Sequence, residues 1–169
     1  MLKSAAFALL ALFPVAAFAQ ESGPVTRPGS EPAVSDPGIK PRAPTLPVIT
    51  KGKGLFRAFG EKPGLTALMD DAMERWLKNP RTRPFFENSD QARIKLLLVE
   101  QFCVIMNGGC DYTGRSMAEA HRGMNVNEGA FYALVEELQV AMNKRRIPFR
   151  AQNRLIAALA PQSRDIIDR

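Results

Sequence analysis

Histidine is nearly absent from this 169-residue chain, in which His121 is the only one. A metal centre built from several imidazoles is therefore excluded, and a Ser-His-Asp relay would have to use His121. There are two cysteines, too few for a cysteine-rich zinc site. The net charge of +6 is spread among interleaved acids and is not accompanied by a basic-aromatic ladder, so nucleic-acid binding is not expected.

A single imidazole is sufficient for one class of metal centre. Haem iron receives four nitrogens from the porphyrin and needs only one ligand from the protein. Haem ligation is therefore one hypothesis for His121, and a solvated or core histidine without a ligand is the alternative.

The N-terminus has the pattern of an export signal. Lys3 precedes an apolar run over residues 5–18, and Ala17-Phe18-Ala19 ends it in a small-x-small sequence. We predict a signal peptide over residues 1–19 with cleavage before Gln20, and a periplasmic location. An uncleaved membrane anchor is the alternative, although the run is short for a membrane span.

Residues 20–53 are predicted to be a disordered tether because prolines recur throughout them and apolar side chains are few. Those prolines are Pro24, Pro28, Pro32, Pro37, Pro41, Pro44 and Pro47. The remaining residues, 54–169, have the length of one small domain.

Apolar residues in this domain recur in steps of three and four, which is typical of amphipathic helices. The first series is Leu65, Leu68, Met69, Ala72, Met73, Trp76 and Leu77, and the pattern stops at Asn79-Pro80. Ser89 is predicted to cap a second helix with an inner face of Ile94, Leu97, Leu98, Phe102 and Ile105. A second stripe on that helix, Leu96, Val99, Cys103 and Met106, predicts cover on two sides.

The C-terminal half continues the helical pattern. Asn107-Gly108-Gly109 breaks the second helix, and Asn127 is predicted to cap a further one with Phe131, Leu134, Val135, Leu138 and Met142 inward. Pro148 precedes a last helix that is kinked or restarted at Pro161. No segment alternates as a strand would, so the predicted class is all-α.

Cys103 and Cys110 stand on either side of the glycine break. Seven residues separate them, and in an exported protein they are free to oxidise. Either a disulfide or two separate thiols fits this spacing.

Several motifs in residues 54–168 resemble those of the group I truncated haemoglobins, which are small globins with a two-over-two helical sandwich around haem. The motifs are Phe59-Gly60-Glu61-Lys62-Pro63-Gly64-Leu65, Pro84-Phe85-Phe86, Gly108-Gly109, Tyr112-Thr113-Gly114-Arg115-Ser116-Met117 and Ala120-His121. The resemblance implies that His121 is the proximal ligand of haem iron and that Phe86 packs flat on the porphyrin. It also places Met117, Phe131, Leu134 and Leu159 along the haem cavity.

The distal side departs from the family pattern. Where many of these globins have a tyrosine and a glutamine that hydrogen-bond to bound oxygen, this chain has Met73 and Leu98. Ile94 stands at the entrance, Leu97 on the same face, and Phe102 one turn beyond. Lys95 and Gln101 flank this face and are expected to face solvent. An apolar distal wall predicts faster loss of oxygen, with a smaller effect on carbon monoxide and nitric oxide.

The resemblance implies a haem b protein that binds oxygen, carbon monoxide or nitric oxide, with a role in oxygen binding or transport. Nitric oxide dioxygenation and peroxidase turnover are disfavoured because they usually need polar distal groups. One alternative is gas sensing or electron transfer, with Met73 as sixth iron ligand and an unknown redox partner. Another is a haem-free globin-like interaction module. Arg115 and Arg122 flank the proximal turn and are candidates for contact with haem propionates.

Overall fold

The structure is a computed structural model and describes residues 46–168, within which every regular element is helical. The helices are α1 Gly54–Ala58, α2 Glu61–Lys78, α3 Gln91–Ile105, α4 Met117–His121, α5 Glu128–Lys144, α6 Phe149–Leu159 and α7 Ser163–Ile166. Short 3-10 turns occupy Arg83–Phe85 and Ala160–Gln162. The all-α prediction is confirmed. Over the same residues, no helix is long and apolar enough to cross a bilayer.

Two helix pairs enclose the core. The first pair is α2 with α3 and the second is α5 with α6, and the pairs meet where α2 contacts α5 and where α3 contacts α6. Fully buried side chains fill the space between them: Leu65, Leu68, Met69, Trp76, Ile105, Met106, Leu138, Met142 and Leu155. This arrangement leaves the short helix α4 at the edge, where it packs against α7.

Most helix boundaries follow the predicted signals. Asn127 caps α5 by accepting a hydrogen bond from Ala130 N–H at 2.9 Å, as predicted. The cap of α3 is Asp90, which accepts from Arg93 N–H at 2.9 Å, so the prediction of Ser89 was wrong by one residue. Ser89 instead donates its hydroxyl to Phe86 O.

The prediction that both stripes of α3 are covered is wrong at one position. Val99, Cys103 and Met106 of the second stripe are buried, but Leu96 is 49% exposed. Leu96 lies in the first half of α3, which no described element covers on that side.

The predicted signal peptide and most of the predicted tether, residues 1–45, lie outside the described residues. The last part of the tether lies on the domain. Leu46 and Ile49 pack against the core, and Ile49 N–H donates to Ile105 O at 3.0 Å. This bond satisfies a carbonyl in the last turn of α3, where a helix leaves its carbonyl groups without partners of its own.

A charged contact joins α2 to the end of α5. Lys144 Nζ and Arg145 Nε each lie 2.8 Å from the carboxylate of Asp71. The hydrogen bond from Lys144, with the positive charge of both partners, holds the pKa of Asp71 below its ordinary value. Lys144 and Arg145, at the C-terminal end of α5, therefore share a carboxylate partner on α2.

Candidate functional site

His121 is the last residue of α4, a helix of only five residues. Ser116 and Glu119 form a capping box at its start: Ser116 Oγ accepts from Glu119 N–H, and Glu119 Oε2 accepts from Ser116 N–H. The Ser116 hydroxyl also donates to that carboxylate, and these bonds lower the pKa of Glu119. The cap fixes a helix too short to be stable by itself.

The loop before α4 is attached to α3 at two points. Cys103 and Cys110 form a disulfide with their Cα atoms 5.8 Å apart, which decides between the two states that the sequence left open. Thr113 donates from both its N–H and its hydroxyl to Glu100 Oε2, at 2.9 and 2.8 Å. The position of α4 is thereby tied to α3.

Glycine is required inside this loop. Gly109 and Asn107 have positive φ, as the predicted helix break needs. A Cβ at Gly108 would lie within 3 Å of both the Cys103 sulfur and the Phe56 ring. Beyond the disulfide, Tyr112 donates its hydroxyl to Arg115 O at 3.0 Å, and partial burial raises the pKa of that phenol.

The imidazole of His121 is half-buried and oriented by its own helix. Nδ1 lies 2.8 Å from Met117 O. A carbonyl oxygen can only accept a hydrogen bond, so Nδ1 is the protonated donor. Nε2 is then the lone-pair nitrogen, and no group in residues 46–168 hydrogen-bonds to it. A backbone carbonyl on the second ring nitrogen is the usual support of a metal-ligating histidine.

The two halves of α3 differ in burial. From Gln91 to Leu98 no side chain is buried, whereas from Val99 to Met106 six of eight are. Ile94, Leu97 and Leu98 are all half-buried, although they form an apolar face. The first half of α3 therefore presents an incompletely covered apolar wall.

Most of the candidate cavity residues lie in one hydrophobic cluster. Met73, Phe86 and Phe102 are buried in it, and Ile94, Leu98, Leu134 and Leu159 are partly buried and pack against it. Leu97, Met117 and Phe131 are half-buried outside this cluster. The cluster thus brings residues of α2, α3, α5 and α6 together.

Phe86 is held by an aromatic contact within the same cluster. Its ring stacks on Trp76 with centroids 5.2 Å apart and planes 15° apart. Trp76 in turn donates its indole N–H to Leu134 O at 3.1 Å. These contacts fix the Phe86 ring at the turn between α2 and α3.

The expectation that Gln101 faces solvent is wrong, because it is only 4% exposed. Its Nε2 donates to Gln162 Oε1 at 3.0 Å and lies 3.7 Å from Met117 Sδ. The sequence signal that could have predicted the burial of Gln101 is its position next to Phe102, on a helix with apolar residues on two sides. Lys95 is paired with Asp70 at 2.6 Å. Arg115 and Arg122 are exposed.

These features fit haem in three respects. The single imidazole has a free Nε2, the wall formed by Ile94, Leu97 and Leu98 is apolar and incompletely covered, and a buried amide nitrogen, Gln162 Nε2, has no hydrogen-bond partner within residues 46–168. No group of three or more His, Cys, Asp or Glu residues suited to a metal ion occurs in that part of the chain.

Comparisons with known proteins agree with this geometry. Residues 54–167 match the model of the bacterial-like globin family. The group 1 truncated hemoglobin of Tetrahymena pyriformis is 24% identical over 96 residues, which are 57% of this chain and 79% of that protein. The group 1 truncated hemoglobin of Nostoc sp. (strain MUN 8820) is 28% identical over 93 residues, 55% of this chain and 79% of that protein.

Solved structures show the same fold. The crystal structure of the Tetrahymena pyriformis truncated hemoglobin in the Fe(III) form has a TM-score of 0.65 at 21% identity, covering 68% of this chain and 98% of that one. The 2/2 hemoglobin of Synechococcus sp. PCC 7002, in the cyanomet state with covalently attached heme, has a TM-score of 0.63 at 19% identity and the same coverage. The helix pairs described above are therefore a two-over-two globin sandwich, and the chain belongs to the bacterial-like globin family.

Proposed function

We propose that this globin holds haem b through Nε2 of His121 and binds a diatomic gas on the opposite side of the haem. The observation that carries the proposal is the orientation of His121, whose Nδ1 is bound to Met117 O while Nε2 has no partner within residues 46–168. Non-covalent haem is proposed because the sequence has no Cys-x-x-Cys-His motif. Bound haem supplies an iron centre with a vacant coordination position.

The proposed gas-binding wall consists of Met73, Ile94, Leu98 and Phe102. None of these side chains carries a hydrogen-bond donor, so they exclude water without polarising a ligand. Oxygen depends on such a donor more than carbon monoxide or nitric oxide does. We therefore propose binding of all three gases, with weak retention of oxygen.

Absorption spectra of the purified protein in ferric, ferrous and carbon monoxide-bound states test this function. The expected result is a Soret band after addition of haem and a ferrous form that takes up carbon monoxide. A protein that shows no Soret band with haem contradicts the proposal and favours a haem-free module.

Substitution of the ligand tests the role of His121 directly. In His121→Gly the Fe(II) spectrum should lose its histidine-ligated form, and added imidazole should restore it by occupying the space left by the side chain. Ala118→Ser, at an exposed position of the same helix, is the control and should leave the spectrum unchanged. An unaltered spectrum in His121→Gly would overturn the assignment.

Electron transfer is the second candidate, because the thioether of Met73 is buried in the same cluster as Leu98 and Phe102. A methionine on the sixth position would raise the reduction potential of the iron. Low-spin six-coordinate spectra in both redox states, lost in Met73→Leu, would support this role. A water-bound high-spin ferric form would reject it.

A further inference from the structure

Two glutamines, one buried and one half-buried, meet at the edge of the largely apolar interior. Gln101 on α3 is 4% exposed, and its Nε2 donates to Gln162 Oε1 at 3.0 Å. This bond occupies the carbonyl side of the Gln162 amide and leaves its Nε2 side free. Nε2 of Gln162 is buried, and no group in residues 46–168 accepts a hydrogen bond from it.

An unpartnered amide nitrogen in the interior lowers stability, because its hydration is lost without replacement. Gln152 shows the usual solution elsewhere in the protein. It is 3% exposed, and its Nε2 donates to both Asn143 Oδ1 at 2.9 Å and Ile147 O at 2.8 Å. Gln162 differs because no group in residues 46–168 accepts a hydrogen bond from its Nε2.

The two glutamines lie close to residues that the resemblance assigns to the haem cavity. Gln101 is three residues after Leu98, precedes Phe102 and contacts Met117 Sδ at 3.7 Å. Gln162 is three residues after Leu159, on the turn that follows α6. Met117 therefore contacts this pair, and three more residues assigned to the cavity lie within one helical turn of it: Leu98, Phe102 and Leu159.

We propose that Nε2 of Gln162 donates a hydrogen bond to an oxygen atom of the molecule bound in this cavity. Two sources provide such an oxygen, a carboxylate of the haem or a bound gas, and in the second case oxygen would be held more strongly than the four apolar residues of the wall alone predict. The inference rests on the proposed function, because both sources require that haem be bound. Gln101 acts as a positioning residue that fixes the Gln162 amide.

The test replaces the pair together, as Gln101→Met/Gln162→Met, which removes the amides while keeping unbranched side chains of similar length. The haem-free variant should be as stable as the wild type or more stable in thermal unfolding, because no unpartnered amide remains. The haem-loaded variant should release haem or O2 about three- to tenfold faster, which corresponds to the loss of one hydrogen bond. A merely structural role would lower stability and retention together.

The matched control is Gln152→Met, which removes a buried glutamine whose Nε2 donates both of its hydrogen bonds to protein groups. It should lower the stability of the haem-free protein and leave both haem and gas release unchanged. Gln162→Glu is the second variant. Its carboxylate still accepts from Gln101 but has no N–H at neutral pH, so it should accelerate release more than the double variant does.

Two rates identify the oxygen. Faster transfer of haem to an excess of a haem-scavenging protein, with unchanged gas dissociation, indicates a haem carboxylate. An iron porphyrin that carries alkyl groups in place of the propionates should then leave wild type and variant equally fast. Faster dissociation of O2 with unchanged haem transfer indicates the gas. If the double variant loses haem and O2 at the wild-type rates, the proposal is overturned. A wild type that binds no haem would overturn the proposed function itself.

Discussion

The two halves of α3 have the same kind of apolar sequence but different surroundings. Val99, Phe102 and Ile105 are enclosed by the helix pairs, whereas Ile94, Leu97 and Leu98 remain half-buried although they are equally apolar. The buried residues hold the fold together, and the half-buried ones are those that we propose line the ligand site. This difference in burial along one helix is what supports the proposed gas-binding wall.

The largest effect is expected in the closed part of the core, at Trp76. Trp76→Ala removes the stacking on Phe86 and the hydrogen bond to Leu134 O, and should lower the free energy of unfolding by about 3–5 kcal/mol. Leu97→Ala in the open half should cost about 1 kcal/mol, because its side chain is only partly removed from solvent. Urea unfolding of the haem-free proteins measures both. Equal losses would contradict the comparison.

The disulfide at the closed end of α3 should have the next largest effect. Cys110→Ala opens a short loop and should lower the free energy of unfolding by about 2–3 kcal/mol, because the unfolded chain gains conformational freedom. Dithiothreitol should destabilise the wild type and leave the variant unaffected. A wild type that is insensitive to the reductant would refute this role for the bond.

The half-buried first half of α3 can be tested by introducing a hydrogen-bond donor, which its apolar side chains lack. In Leu98→Gln a new amide N–H should slow oxygen dissociation about ten- to a hundredfold, since a hydrogen bond to bound oxygen contributes about 1.5–3 kcal/mol. Carbon monoxide dissociation should change much less. Leu96→Gln, on the exposed side of the same helix, is the control. Equal oxygen rates in both variants, measured by stopped flow, would argue against Leu98 in the wall.

The smallest effect on the free energy of unfolding is expected at Asp71, which lies on α2 and outside both halves of α3. Its pKa is lowered in the folded protein, so the contact with Lys144 and Arg145 stabilises the fold above the ordinary carboxyl range and is lost as pH falls below about 4. Asp71→Asn should cost about 1 kcal/mol at pH 7 and weaken the dependence of unfolding on acid pH. Asp70→Asn is the more exposed comparison and should change stability by less than about 0.5 kcal/mol.

The sequence predicted the helices because their apolar period and capping residues are local signals. The motif around His121 led to the prediction that this residue ligates haem iron, which the spectra of His121→Gly test. Burial along α3 was not predictable, since Leu96 and Val99 look alike until their neighbours are known. The burial of Gln101 depends on Gln162, a partner 61 residues away, and helical period alone places it beside the apolar face. Long-range partners, rather than local preference, set these parts of the site.

The docking of Ile49 has a practical consequence for defining the domain. The family match starts at residue 54, yet Ile49 caps α3 through Ile105 O and its carbonyl accepts from Arg154 Nη2 at 3.3 Å. The packed domain therefore begins upstream of the segment that matches the family. A shortened protein starting at Gly54 would lose the two hydrogen bonds by which Ile49 links α3 to α6, whereas one starting at residue 46 would retain them.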